Sequence, residues 1–199
     1  MADMFDFGPQ ARLVARVAER ITDEQLAAPT PCPEYAVRNV LGHVLGLSHA
    51  FDRAAHKDFV PELDRDPGST LPDIGPGWRA DLPKALAALV DAWRDPAAWE
   101  GMTRAGGLDL PGEVAGLVAL DELVVHGWDL ARATGQEYAP DEASLRAAEA
   151  LLTPAESGDG GDGGDSGFFG VPVPVADDAP LLDRVIGLSG RDPRWEARS

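Results

Sequence analysis

Four apolar stripes along this chain repeat with the period of a helix, and prolines or glycines separate them. Few folds other than a helical bundle accommodate that pattern. After Pro9, the residues Leu13, Val14, Val17 and Ile21 recur at turn spacing, and Pro29 closes the run. A second run opens after Pro33 and continues to about Lys57 through Val37, Val40, Leu41, Val44, Leu47 and Phe51. A third spans roughly Trp78 to Arg94, with Leu82, Leu86, Leu89 and Trp93 on one face. The fourth starts near Pro111-Gly112 and ends at Gly135, which suits the first position beyond a helix. A shorter helix is expected over about 141–152, and a last one over Leu181 to Leu188. The Pro/Gly/Asp-rich connection at about 58–77 suits a crossover between bundle helices better than a tight turn. The glycine-rich residues 99–110 read as an irregular or hairpin link. The sequence therefore predicts an all-α bundle with a long crossover and a C-terminal extension.

Charge and cysteine content exclude several classes of function. A net charge of −17 opposes binding to a phosphate backbone or an anionic membrane surface. One cysteine allows no internal disulfide framework and no Cys-rich zinc module. The stretch Met1-Ala2-Asp3-Met4-Phe5-Asp6 is acidic where a secretory leader would be basic, and no apolar run reaches ~18 residues. The expectation is a soluble cytoplasmic protein with neither nucleic acid nor membrane as partner; a homodimer is compatible with it. Between Ser157 and Gly167, Asp recurs at every third position, without the spacing or terminal Glu of a calcium loop, so this stretch reads as a flexible linker. The expected organisation is a helical bundle over 1–154, a linker over 155–170 and an extension over 171–199 that packs on the bundle.

Chemistry concentrates on two helices. With the second helix turned at about 100° per residue, Ala36, Val40, Leu47, Ala50 and Ala54 fall within about 60° of His43. His49 and His56 fall on the other side, with Arg38, Asp52 and Arg53. Of this helix's three histidines, His43 alone belongs to the inward face, either as a hydrogen-bonded core residue or as a ligand. On the fourth helix, Glu122 and His126 are four residues apart and stack on one face, so carboxylate oxygen and imidazole nitrogen can converge on one cation. Asp129 lies on the same stripe, among Ala115, Val118, Ala119, Val125 and Ala133. Burying such groups unpaired would cost several kcal/mol, and a metal would remove that cost. The pattern alone also leaves open an ordinary amphipathic helix whose polar face includes Asp121 and Arg132.

Taken together, His43, Glu122 and His126 form a two-histidine, one-carboxylate set that can hold a divalent ion and leave positions open for water or substrate. Zinc is the first candidate; nickel, iron or manganese could use the same ligands. Asp129 either orients a ligand or takes a proton, or it pairs on the helix surface with Arg132. Cys32 precedes the second helix by a few residues. Eleven positions from His43 correspond to roughly 16 Å of helix rise, so Cys32 reads as a packed loop residue and not a fourth ligand.

These residues carry a family resemblance. Thr30-Pro31-Cys32-Pro33-Glu34-Tyr35-Ala36-Val37-Arg38-Asn39-Val40-Leu41-Gly42-His43 resembles the second-helix signature of the mycothiol-dependent maleylpyruvate isomerase N-terminal domain. Glu122-Leu123-Val124-Val125-His126-Gly127-Trp128-Asp129-Leu130-Ala131-Arg132-Ala133-Thr134-Gly135 is similar to that family's metal-site helix. Val171 to Trp195 resembles the tail of its single-domain actinobacterial members. The likeness runs from about 8 to 195, and residues 157–167 stand outside it. The resemblance implies a DinB-like four-helix bundle of up-down-down-up topology, with a divalent metal, usually zinc, on His43, Glu122 and His126. In characterised relatives, the site holds the sulfur of a low-molecular-weight thiol as thiolate. The thiolate attacks an electrophilic small molecule, either to conjugate it or to isomerise it by reversible addition. A Lewis-acidic cation suits this chemistry because it lowers the thiol pKa. The full isomerase carries a second domain whose arginine meets the substrate's carboxylates; the about 47 residues after 152 are too few for such a domain. Arg38 and Arg132 are the candidates for contacts to an anionic substrate. The expected function is thus a metal-dependent S-transferase or isomerase using mycothiol or a similar thiol; the alternative is a non-catalytic metal-binding or regulatory bundle.

Overall fold

The computed structural model of the protein describes residues 4–59, 71–153 and 170–197. Part of the expected crossover, and all of the expected linker but Gly170, lie outside the described residues. Helix α1 covers Gly8–Glu19 and is entered through Pro9, whose fixed φ suits a first turn. The apolar run up to Pro29 does not form one helix. It breaks after α1 and resumes as a 3-10 turn over Asp23–Ala27, where the Gln25 side chain accepts from the Thr22 amide at 3.0 Å. Helix α2 spans Val37–Ala55 and α3 spans Trp78–Ala92. A single turn, α4, covers Pro96–Trp99 under an Asp95 cap.

Strands β1 (Met102–Ala105) and β2 (Leu108–Pro111) then pair antiparallel, with Thr103 opposite Leu110. Gly106 and Gly107 both have positive φ, 58° and 79°, which is what a two-residue hairpin turn with the twist of its strands requires. The chain is therefore mostly helical rather than all-α. The hairpin leads directly into α5, Gly112–Ala133. Helix α6 covers Glu142–Leu152 behind an Asp141 cap, and α7 covers Leu181–Leu188.

Helices α1, α3, α2 and α5 form a closed ring of contacts, in which α1 packs on α3 and α5, and α2 packs on the same two. Their main core includes Val14, Val40, Val44, Leu89, Leu120 and Leu123. A second cluster of Val124, Leu145, Ala148, Leu152 and Val185 joins α5 to α6 and α7. Helix α5 is thus covered from both sides, and its residues are buried nearly all round. Small residues allow this. A Cβ on Gly116 would lie 2.6 Å from the Trp99 ring, and one on Gly127 would collide with the Tyr138 hydroxyl. Among the described residues, no helix is long and apolar enough to cross a membrane.

Candidate metal centre

The facing surfaces of α2 and α5 bring His43, Glu122 and His126 together, with one donor atom from each inside a sphere where all lie within 4.8 Å of one another. The Nε2 atoms of His43 and His126 each lie 3.1 Å from the same oxygen, Glu122 Oε2. The two rings meet edge to face, with centroids 4.6 Å apart. A tetrahedral ion with ligands at about 2.0–2.2 Å separates its donor atoms by about 3.3 Å. Two of the three donor separations, at 3.1 Å, are close to that spacing, so the side chains present suit such an ion.

His43 stands on the flank of α2's buried face, about 100° round from Val44, and its side chain is 18% exposed. Glu122 is 15% exposed and His126 8%. The cluster consequently has one side open to solvent and one side closed. Tyr35 borders His43 with its ring edge, centroids 6.2 Å apart.

Asp129 lies on the closed side. It is fully buried, and its Oδ2 accepts from His126 Nδ1 at 3.0 Å. A carboxylate only accepts, so Nδ1 carries the proton, and Nε2 is the nitrogen turned toward Glu122 and His43. The surface pair with Arg132 that the spacing permitted does not form. Asp121, which could have belonged to a wet face, is buried with neither oxygen hydrogen-bonded among the described residues. Burial pushes its carboxyl well above the ordinary value, and the neighbouring Glu122 charge adds to this.

The protonation of the cluster follows from competing effects. Burial alone would lower the His126 pKa, but its hydrogen bonds and charge interactions with Asp129 and Glu122 outweigh this and raise it to about 9. Burial would raise the Glu122 carboxyl; the hydrogen bonds from His126 and His43, with their charge, hold it well below its ordinary range instead. The metal-free site therefore keeps a proton where a cation would sit. His49 is exposed on α2, and the His56 ring pairs with Asp52 at the helix end.

Both arginines proposed for an anionic substrate are engaged elsewhere. The Arg38 fork holds Asp73 at 2.7 and 2.8 Å, on the exposed face of α2. It pins the segment before α3 to α2, where a Cβ on Gly42 would lie 2.7 Å from the Asp73 backbone. Arg132 donates to the backbone oxygens of Pro193 and Trp195 at 3.3 and 2.8 Å and so holds the C-terminal segment.

One residue near the cluster carries no sequence signal of its own, and another lies nearer to it than its spacing along the chain suggests. Arg191, just beyond α7, donates to Asp129 Oδ2 at 3.4 Å and is 12% exposed. Cys32 does not lie a helix-length away. The chain turns back at Glu34 (φ 66°), Pro29 bridges Ala36, and the Thr30 hydroxyl donates to the Tyr35 carbonyl at 2.7 Å. That loop sets the Cys32 thiol beside Arg191. Burial first, then the Asp129 and Glu122 charges, push its pKa to about 11 against the pull of Arg191. Cys32 is not among the three gathered donors.

Fold and site together define a mostly helical protein with a two-histidine, one-carboxylate cluster of the kind that holds a divalent ion. The chain belongs to the mycothiol maleylpyruvate isomerase N-terminal domain family, whose model matches residues 7–131 and so includes all three clustered residues and Asp129. Two uncharacterized proteins of Mycobacterium tuberculosis, from strains CDC 1551 / Oshkosh and H37Rv, are each 27% identical to it over 184 residues, covering 90% of this chain and 92% of theirs. The crystal structure of the mycothiol-dependent maleylpyruvate isomerase superposes with a TM-score of 0.48 at 19% identity, over 72% of this chain and 65% of that one. A histidine-to-alanine mutant of that enzyme gives the same TM-score at 18% identity. The chain thus spans about two thirds of the length of that solved enzyme.

Proposed function

We propose that the protein is a divalent-metal-dependent enzyme that presents a low-molecular-weight thiol, of the mycothiol class, to an electrophilic small molecule, as an S-transferase or isomerase. The observation that carries the reading is the convergence of His43 Nε2, His126 Nε2 and Glu122 Oε2 at one partly open point. Family membership supports the thiol. The ring of α1, α3, α2 and α5 is read as the up-down-down-up bundle of that family, with 1–154 as the metal-binding unit and 171–199 packed on it.

In this account, His43 and His126 each supply one imidazole nitrogen and Glu122 one carboxylate oxygen. Zinc suits the set best; nickel, iron and manganese accept the same donors. A cation there supplies Lewis acidity that lowers the pKa of a thiol bound at the open side. His43 borders that side, and the buried flank formed by His126 and Asp129 excludes water from the other. Asp129 keeps the His126 proton on Nδ1 and leaves Nε2 free to bind. Arg38 and Arg132 take structural roles.

The test is incubation of the purified zinc-loaded protein with mycothiol and an electrophile such as a bimane or chlorodinitrobenzene. The reading expects enzyme-dependent loss of free thiol that His126→Ala abolishes. A metal-loaded protein that neither binds mycothiol nor accelerates its reaction with several electrophiles contradicts the thiol-dependent reading.

A further inference from the structure

The C-terminal segment lies outside residues 7–131, the span of the family match, yet it reaches the cluster through one side chain. We propose that Arg191 is a positioning residue for the metal centre: it clamps Asp129 in the orientation that fixes His126 Nδ1 and so directs Nε2 at the cation. The inference rests on the metal-centre reading above and adds a residue to it.

Asp129 Oδ2 has two donors, His126 Nδ1 at 3.0 Å from its own helix and Arg191 Nη2 at 3.4 Å from another element. Its other oxygen, Oδ1, has no hydrogen-bond partner among the described residues. Without Arg191, the carboxylate could swing about its side-chain torsions and present either oxygen. A second donor from outside α5 removes that freedom.

The clamp itself is rigidly based. Val185 and Ile186 of α7 are fully buried, and the helix ends in a tight cap in which the Gly190 amide donates to Gly187 O and the Arg191 amide to Ile186 O, both at 3.1 Å. Gly190 takes φ 84°, and a Cβ there would meet Gly170 Cα at 2.8 Å, so the turn admits only glycine. Arg191 Nη1 donates back to Ser189 O at 2.8 Å, which fixes one edge of the guanidinium while Nη2 faces Asp129. From the α5 side, Arg132 ties down the carbonyls of Pro193 and Trp195. Residues 186–195 are thus anchored on both sides of the arginine.

The experiment measures zinc affinity by chelator competition, with the ligand-field spectrum of the cobalt-substituted protein as a second readout. Proteins compared are the full-length chain, Arg191→Met, Asp129→Asn, the double variant, and Arg146→Met. Removing a partner that orients a metal-binding histidine weakens metal binding by roughly 10- to 100-fold. The inference expects a loss of that size in Arg191→Met, an altered cobalt spectrum, and no further loss when Arg191→Met is added to Asp129→Asn. Arg146→Met, which removes an exposed arginine of α6 paired with Glu142, should bind zinc like the wild type. Arg191→Gln serves if Arg191→Met does not fold, with the same expected loss. Wild-type affinity in either arginine variant, or losses that simply add in the double variant, overturns the inference and leaves the metal reading intact. A wild-type chain that binds no metal overturns both.

Discussion

The metal-free protein should lose stability as pH rises through a range where most proteins change little. His126 is carried from an ordinary value of 6.5 to about 9 in the folded state, against the pull of its own burial, by Asp129 and Glu122. A folded pKa above the unfolded one stabilises the protein fully below about pH 6.5, and that stability disappears as pH approaches 9. Each pKa unit corresponds to about 1.4 kcal/mol, so roughly 3 kcal/mol is at stake. With a urea slope of about 2–3 kcal/mol per molar, the unfolding midpoint should fall by about 1 M across this window. The Glu122 shift has the opposite sign and acts only below its ordinary value of 4.5. Cys32, raised from 9.0 to about 11, begins to remove stability only above the window. Metal binding needs the histidines deprotonated, so zinc-loaded protein should not share the loss, and the gap between loaded and free protein should widen toward pH 9. The assay is urea unfolding by circular dichroism at pH 6.5 and pH 9, with chelator and with zinc. An apoprotein midpoint that stays flat refutes the electrostatic description of the cluster.

Three more outcomes concern Gly127 and Cys32. Gly127→Ala drives a methyl into the Tyr138 hydroxyl and Val14 on α1; overpacking of this kind costs about 1–3 kcal/mol, which thermal or urea unfolding will measure. Cys32, with its thiol pushed to about 11, should react with iodoacetamide at pH 7.5 far more slowly than a free cysteine, and Cys32→Ser should keep full metal content.

How much of this was readable beforehand depended on whether a signal was local and periodic. The facing of His43, Glu122 and His126 follows from turn spacing on two long helices, because a 3.6-residue period decides which side chains share a face. Helix α7 was legible to the residue for the same reason. Burial of α5 on all sides was not, since it depends on α6 and α7 arriving over a helix whose polar residues the spacing alone also allows on a wet face. Gly116 and Gly127 were the available hint, being too small for any purpose but close packing. Asp129 and Arg132 were spaced for a surface pair, but the tail supplied other partners to both. Arg191 is 62 residues from Asp129, beyond a segment with no periodic link to the bundle; a Gly-Arg pair after a short apolar helix was its only trace. Cys32 is a packed loop residue outside the three gathered donors, as its flanking prolines and spacing suggest, but the Pro31–Pro33 loop turns back on itself and sets the thiol nearer Asp129 and Arg191 than a straight helix would. Arg38 found Asp73 across the crossover, a pairing that no spacing rule supplies.

The most direct test is elemental analysis of the purified protein, expressed without an affinity tag and dialysed against a zinc-buffered solution. One divalent ion per wild-type chain, lost in His43→Ala while the helical circular dichroism stays unchanged, is the expected result. A wild-type chain with no bound metal, or a His43→Ala chain that keeps a full equivalent, contradicts the grip of α2 and α5 on a shared ion.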